Sequence, residues 1–382
     1  MSSTDSPATD SPAVDPSATS PLGEFSFSEA RRIVGDYFKP NPWIYWPDFL
    51  LSMGFGLFFF ALVQMPELVI ADPAWHWPVR IVGFFTSSLL FYRAVLFIHE
   101  IVHIRDKEFT AFRFVWNMLC GIPFLVPSFV YYTHIDHHRR QLYGTKRDGE
   151  YLPLASQSIW HILFYFSQIL IIPFLGVIRF GLLTPLTWIS RPIRDLVHRR
   201  FSSMIMDPAY IRPLPTKRVL RIIRLQEVLC FLWIAFIVVR FTMSFGILFD
   251  EPLTMGFLLQ VYLTGLLIVG VNAFRTLGAH RWTGDGSEMT FVEQMLDSVN
   301  YPNHPLIGEL WAPVGLRFHA LHHIFPTMPY HYLPKAHAKL SAQLPANSPF
   351  HKSNAVSLPD EIRLLWRRAK CASPRLTDTG RG

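Results

Sequence analysis

Long apolar runs separated by short polar or proline-marked breaks set the architecture of this chain. Trp43–Met65 is long enough to cross a bilayer, and Trp43, Tyr45 and Trp46 suit the headgroup level at one end. A turn over Asp72–Pro78 leads into a second run, Val79–Ile98. Phe114–Tyr132 is apolar but broken by Gly121, Pro123 and Pro127, which predicts a segment that dips into the membrane and returns. Ile159–Ile189, interrupted by Pro173, Arg179 and Pro185, predicts a re-entrant or interfacial pair of helices. Val228–Phe249 and Met255–Phe274, joined by a loop with Asp250 and Glu251, are the last two crossings. The expected fold is an all-α membrane protein of about four transmembrane helices with re-entrant or interfacial helices between them.

The ends read differently. Residues 1–24 are mostly Ser, Thr, Pro, Ala and Asp, with Thr4–Ala8 repeated at Thr9–Ala13, and predict a disordered tail without the basic and apolar regions of a secretory signal. Ser26 and Glu29 have capping-box spacing and predict a short helix to about Phe38, ended by Pro40 and Pro42. Residues 25–345 then form one membrane-embedded domain, and 346–382 a polar C-terminal tail. Composition agrees with the membrane reading: half of the residues are hydrophobic and 16% are charged, where a soluble domain has about 25%. The net charge of +7 does not point to nucleic acid, because the basic residues cluster beside the apolar runs. Nine Arg/Lys between Arg191 and Arg224, against Asp195 and Asp207, mark the cytoplasmic side. Cys120, Cys230 and Cys371 are too scattered for a thiolate metal motif or a disulfide framework.

The candidate chemistry lies in three histidine clusters, which hold eight of the sixteen histidines. His99 and His103 stand one helical turn apart. His134, His137 and His138 form H-x-x-H-H, and His319, His322 and His323 repeat it. If Phe114–Tyr132 dips rather than crosses, all three clusters reach the same side of the membrane and can share one site. So many imidazoles exceed the ligand needs of one metal, and imidazole-rich, thiolate-free ligation suits iron and oxygen chemistry. A rival reading takes His99-Glu100-Ile101-Val102-His103 as a zinc protease signature. It needs a distant aspartate in an L-D-G motif. Leu296-Asp297-Ser298 and Gly284-Asp285-Gly286 are the nearest candidates, and neither matches.

In order and spacing these clusters resemble the three histidine boxes of the integral-membrane fatty acid desaturase superfamily, over roughly Val79–Leu340. The resemblance implies four transmembrane helices and a cytoplasmic histidine-rich cap holding two ferrous ions. It also implies O2 as co-substrate, a fatty acid or acyl-lipid substrate and an external electron donor. His280, just after the last crossing, matches a further ligand common in the family. The implied metal set is therefore His99, His103, His134, His137, His138, His280, His319, His322 and His323. Some acyl-CoA members have an asparagine four residues before the equivalent of His280; here Thr276 holds that position, with Asn272 one turn back.

Glu100, Asp136 and Asp148 are candidates to orient the imidazoles. His331 and His337 are expected to cap or pack, and His76, His161, His198, His304 and His351 to stay outside the site. Phe112, Phe114, Trp116 and Phe318 could line an acyl channel, but their spacing fits membrane packing better. Desaturation is the first expected reaction because it is the commonest in the superfamily. Lipid hydroxylation and decarboxylation of a free fatty acid to a terminal alkene are the alternatives. Decarboxylation would need a cationic clamp from Arg139, Arg140, Lys146, Arg147, Arg275 or Arg281. A protein that merely stores metal is a third class. No H-P-G-G motif of a fused cytochrome b5 is present, so a separate ferredoxin-, rubredoxin- or cytochrome b5-like donor is expected, docking on Arg191–Arg224.

Overall fold

The computed structural model describes residues 25–104, 109–243 and 253–372. The N-terminal 1–24, the loop with Asp250 and Glu251 and the last residues of the C-terminal segment lie outside the described residues. The described chain is all α-helical, with only isolated β-bridges and no sheet among the described residues. Five helices are long and apolar enough to cross a membrane: Pro42–Gln64, Pro73–His103, Ile172–Ile189, Lys217–Thr242 and Met255–Ala279. This is a multi-pass integral membrane protein. Four of these helices overlap the expected crossings; Lys217–Thr242 starts well before the expected Val228, within the basic stretch, and the end of that expected crossing lies outside the described residues. The fifth falls inside the stretch expected as re-entrant or interfacial; Pro173 sits in its first turn, and a π-turn over Ile178–Leu183 carries the chain past its middle.

The helix ending at His103 is the most enclosed, with 56% of its apolar window buried. Asn41 caps its partner by accepting from the Trp43 amide, and Pro42 follows in the first helical turn. The two helices approach closely where side chains are absent. A Cβ at Gly56 would stand 2.6 Å from the Phe91 ring, and one at Gly83 would stand 3.1 Å from the Phe59 carbonyl. Asp48 pairs with Arg93 at 2.6 Å and accepts from the Tyr330 hydroxyl, so the same contact ties both helices to the cap.

Phe114–Tyr132 does not form a long helix. Thr110–Trp116 runs into a π-turn, Asn117–Gly121, and the chain returns through a 3₁₀ turn at Ser128–Tyr131. Asn117 holds the return: its side chain accepts from the Ser128 amide at 2.9 Å and donates to the Arg113 carbonyl at 2.8 Å. Phe112 and Trp116 are buried against Tyr45, Phe49 and Phe97 as packing, whereas Phe114 is exposed. Phe318 packs on His337.

Two terminal expectations change. The first helix ends at Ile33, not near Phe38, because Val34 leaves helical geometry and the Arg31 guanidinium stacks on Phe38. The polar C-terminal segment contains a helix, Leu358–Ala372, whose Leu365 and Ala369 bury against Tyr143, Tyr151 and Trp282. Its polarity belongs to the outer face alone. The cap closes around Asn300, whose side chain accepts from the Leu321 amide and donates to Ser353.

Candidate metal centre

Nine histidines from four separate chain segments converge in two adjoining groups. His99, His103, His134, His138 and His322 form one, and His137, His280, His319 and His323 the other; within each, one ring nitrogen per residue lies within 4.8 Å of all the rest. The helical spacing explains the division. In each H-x-x-H-H motif the i, i+4 pair lies on one side and the middle histidine points away, about 60° from the first and about 100° from the last. The pair His134 and His138 enters the first group while His137 crosses to the second; the third motif does the reverse, with His319 and His323 in the second group and His322 in the first. The two motifs thus interlock.

The donor chemistry fits metal ions. His137 donates from Nδ1 to Asp148 at 2.8 Å. His280 donates from Nδ1 to the Tyr143 oxygen at 2.8 Å, and the Tyr143 hydroxyl donates in turn to Asp297 at 2.6 Å. With those tautomers both imidazoles face each other through Nε2, 3.2 Å apart, an arrangement that a cation shared between them would satisfy. Other Nε2 pairs repeat the spacing: His138 with His134 at 2.9 Å, His322 with His103 and with His138 at 3.2 Å, and His319 with His280 at 3.0 Å. Two nitrogens at right angles on one ion, each about 2.1 Å away, stand about 3.0 Å apart. His99 is buried with no partner for either ring nitrogen, a state that otherwise carries a desolvation penalty.

Burial first, then the neighbouring histidines, hold the His134, His138, His319 and His323 imidazoles well below the ordinary value; burial, then His103 and His137, do the same for His322. Burial brings His280 down to about 4. These imidazoles are held neutral, the form that can bind a metal ion. His137 is the exception: burial pushes it down, but the Asp148 carboxylate outweighs that and raises it.

Of the expected orienting carboxylates, only Asp148 touches a ring. Asp136 pairs with Arg139. Glu100 accepts from the Tyr45 hydroxyl and the Tyr330 amide, among aromatic rings rather than toward the histidines. Asp297 is engaged by Tyr143 and Thr283 beside His280 and belongs to neither group, so the zinc-protease constellation does not assemble. Three positioning residues escaped the sequence reading: Glu150, which accepts from His134 Nδ1 at 2.8 Å, together with Tyr143 and Asp297. A carboxylate two residues beyond Asp148 was the available signal for Glu150.

His331 accepts from the Asn41 amide, and His337 bonds Asn354. His76, His161 and His351 bond backbone carbonyls, and neither they nor His198 and His304 join a group.

A family model described as "Fatty acid desaturase" matches residues 75–354. A curated relative from Caulobacter vibrioides (strain NA1000 / CB15N), named "Ceramide hydroxylase", is 35% identical over 348 residues, covering 90% of this chain and 93% of that protein. No solved structure matches. With one match across most of its length and another across nine-tenths of it, both spanning the two histidine groups, this membrane-embedded enzyme belongs to the fatty acid desaturase family.

Proposed function

We propose that this protein is a di-iron, O2-dependent lipid hydroxylase that inserts oxygen into a C–H bond of a ceramide-like lipid. The observation that carries this reading is the end-to-end similarity to the Caulobacter ceramide hydroxylase. It favours oxygen insertion over double-bond formation, which stood first only as the commonest reaction of the superfamily.

One iron is assigned to His99, His103, His134, His138 and His322, and the other to His137, His280, His319 and His323. Bound there, the irons would supply the oxygen activation needed to break an unactivated C–H bond, which acid–base side chains cannot do. The chain supplies the rest. Asp148, Glu150 and the Tyr143–Asp297 pair fix the tautomers of His137, His134 and His280, so their Nε2 lone pairs face inward. Burial of the rings keeps water from the site.

The reading takes the site to be cytoplasmic. In support, Arg191, Arg199, Arg200, Lys217, Arg218, Arg221 and Arg224 are exposed. Their segment joins the histidine cap through Met206, whose amide donates to the Gly149 carbonyl at 2.7 Å. The same basic face suits an acidic electron-transfer partner.

The test is product analysis. Full-length protein in membranes would receive iron, O2, a reductant with donor protein, and ceramide labelled in both chains. The expected product is a ceramide of unchanged chain length carrying one added oxygen. A product with a new double bond, or a hydrocarbon one carbon shorter, would overturn the hydroxylase reading in favour of desaturation or decarboxylation.

A further inference from the structure

Arg275 is the unexplained group beside this site. It lies near the histidine end of Met255–Ala279, a membrane-crossing helix, and is only 7% exposed. One guanidinium nitrogen donates to Asn272 Oδ1 and Thr276 Oγ1, each at 3.0 Å. Thr276 is the position where the chain departs from the acyl-CoA pattern and Asn272 lies one turn back; here both hold an arginine. Its Nε is buried with no hydrogen-bond partner, and it forms no ion pair among the described residues. Arg179, another buried arginine in an apolar helix, is fully served by Glu227, Ser202 and Thr184. The Tyr92 hydroxyl bonds the guanidinium and the Glu150 carboxylate feels its charge, but a buried guanidinium with no direct ion pair and an unanswered Nε is still costly and marks function in a membrane segment.

The guanidinium, five residues before His280 on the same chain segment, also acts on the histidine groups through its charge. After burial and neighbouring histidines, its charge is the next influence holding the His319 and His322 imidazoles down. The other cations beside the histidine motifs are placed elsewhere. Arg139, Arg140, Lys146 and Arg147 are exposed, and Arg281 is taken by the Leu296 and Lys352 carbonyls and Glu361.

We infer that Arg275 is a substrate-anchoring residue, donating from its buried guanidinium to the amide carbonyl of the lipid, so that oxidation falls on a carbon close to the amide rather than in mid-chain. This rests on the ceramide-like substrate of the proposed function. A ceramide carries an N-acyl amide, whose carbonyl is the strongest neutral acceptor it offers, and a purely hydrocarbon segment would leave the Arg275 Nε unanswered.

The test separates anchoring from catalysis. Metal-free full-length protein in detergent would be titrated with a fluorescent short-chain ceramide. Unlabelled short-chain ceramide, or its isostere with an E-alkene in place of the amide, would then displace it. Wild-type protein should prefer the amide by about tenfold, the worth of one charge-assisted hydrogen bond. Arg275→Met should bring the ratio close to one, and Arg275→Lys should retain part of it. An equal ratio in wild type and Arg275→Met, or no preference in the wild type, would overturn the inference. If Arg275→Met does not fold, the wild-type and Arg275→Lys ratios decide. In turnover of labelled ceramide the added oxygen should lie within a few carbons of the amide, and a mid-chain hydroxyl would also overturn it. A preserved binding preference without hydroxylated product would instead count against the proposed function alone.

Discussion

Asp148→Asn tests how the chain tunes its metal centre. The Asp148 carboxylate is buried and accepts three bonds: from His137 Nδ1 at 2.8 Å and the Gly144 amide at 3.1 Å on one oxygen, and from the Glu150 amide at 3.0 Å on the other. Asparagine keeps the shape but has one acceptor oxygen. Its better orientation serves His137 and Gly144 and sets its NH2 group against the Glu150 N–H, losing one buried bond, worth about 1–3 kcal/mol of stability. The larger effect is electrostatic. Asp148 is what lifts His137 above the level that burial imposes, so the variant's imidazole becomes a weaker base and a weaker ligand. Loss of such an outer partner typically weakens metal affinity about 10–100-fold, or about 1.4–2.8 kcal/mol. The assay is iron retention by purified protein against a graded chelator. The expected result is selective weakening of one of two iron equivalents, the one assigned to His137, His280, His319 and His323. Unchanged retention of both would refute the reasoning.

Three further outcomes follow from the same geometry. Tyr143→Phe removes the hydroxyl between His280 and Asp297; iron affinity should fall about tenfold by the same outer-partner effect, and wild-type affinity measured by chelator competition would count against that bridge. Acidification should release the two irons unequally: a proton competes for His137, whose basicity is raised, before it competes for His134, His138 or His322, which are held low. Iron content followed downward in pH should therefore drop first by one equivalent, and simultaneous loss of both would contradict this. Glu100→Gln should keep turnover within a few-fold, because its carbonyl oxygen can still accept from Tyr45 and Tyr330; abolished turnover with normal iron content would instead assign Glu100 a part in proton transfer.

The histidine motifs were legible because their chemistry and their helical period coincide. His134/His138 and His319/His323 are one turn apart, and no apolar core asks for that pattern. The return of Phe114–Tyr132 was legible from Pro123 and Pro127, although Asn117, which holds it, was not. What stayed hidden depends on long-range contact. Asp297 and Tyr143 meet at His280 across 154 residues of chain, and nothing local to either announces it. Ile172–Ile189 looked broken because Pro173 and Pro185 read as stops, whereas each falls in the first turn of a helical segment, where a missing N–H costs nothing. The interlocking of the two H-x-x-H-H motifs was likewise invisible, since each alone would suit a single metal.

Iron quantification in the purified full-length protein, alongside single histidine variants, tests the two-group arrangement most directly. The wild type should bind two irons per chain. His322→Ala should weaken only the equivalent assigned to His99, His103, His134 and His138, and His319→Ala only the other. A wild type that saturates at one iron, or variants that both empty the same equivalent, would contradict it.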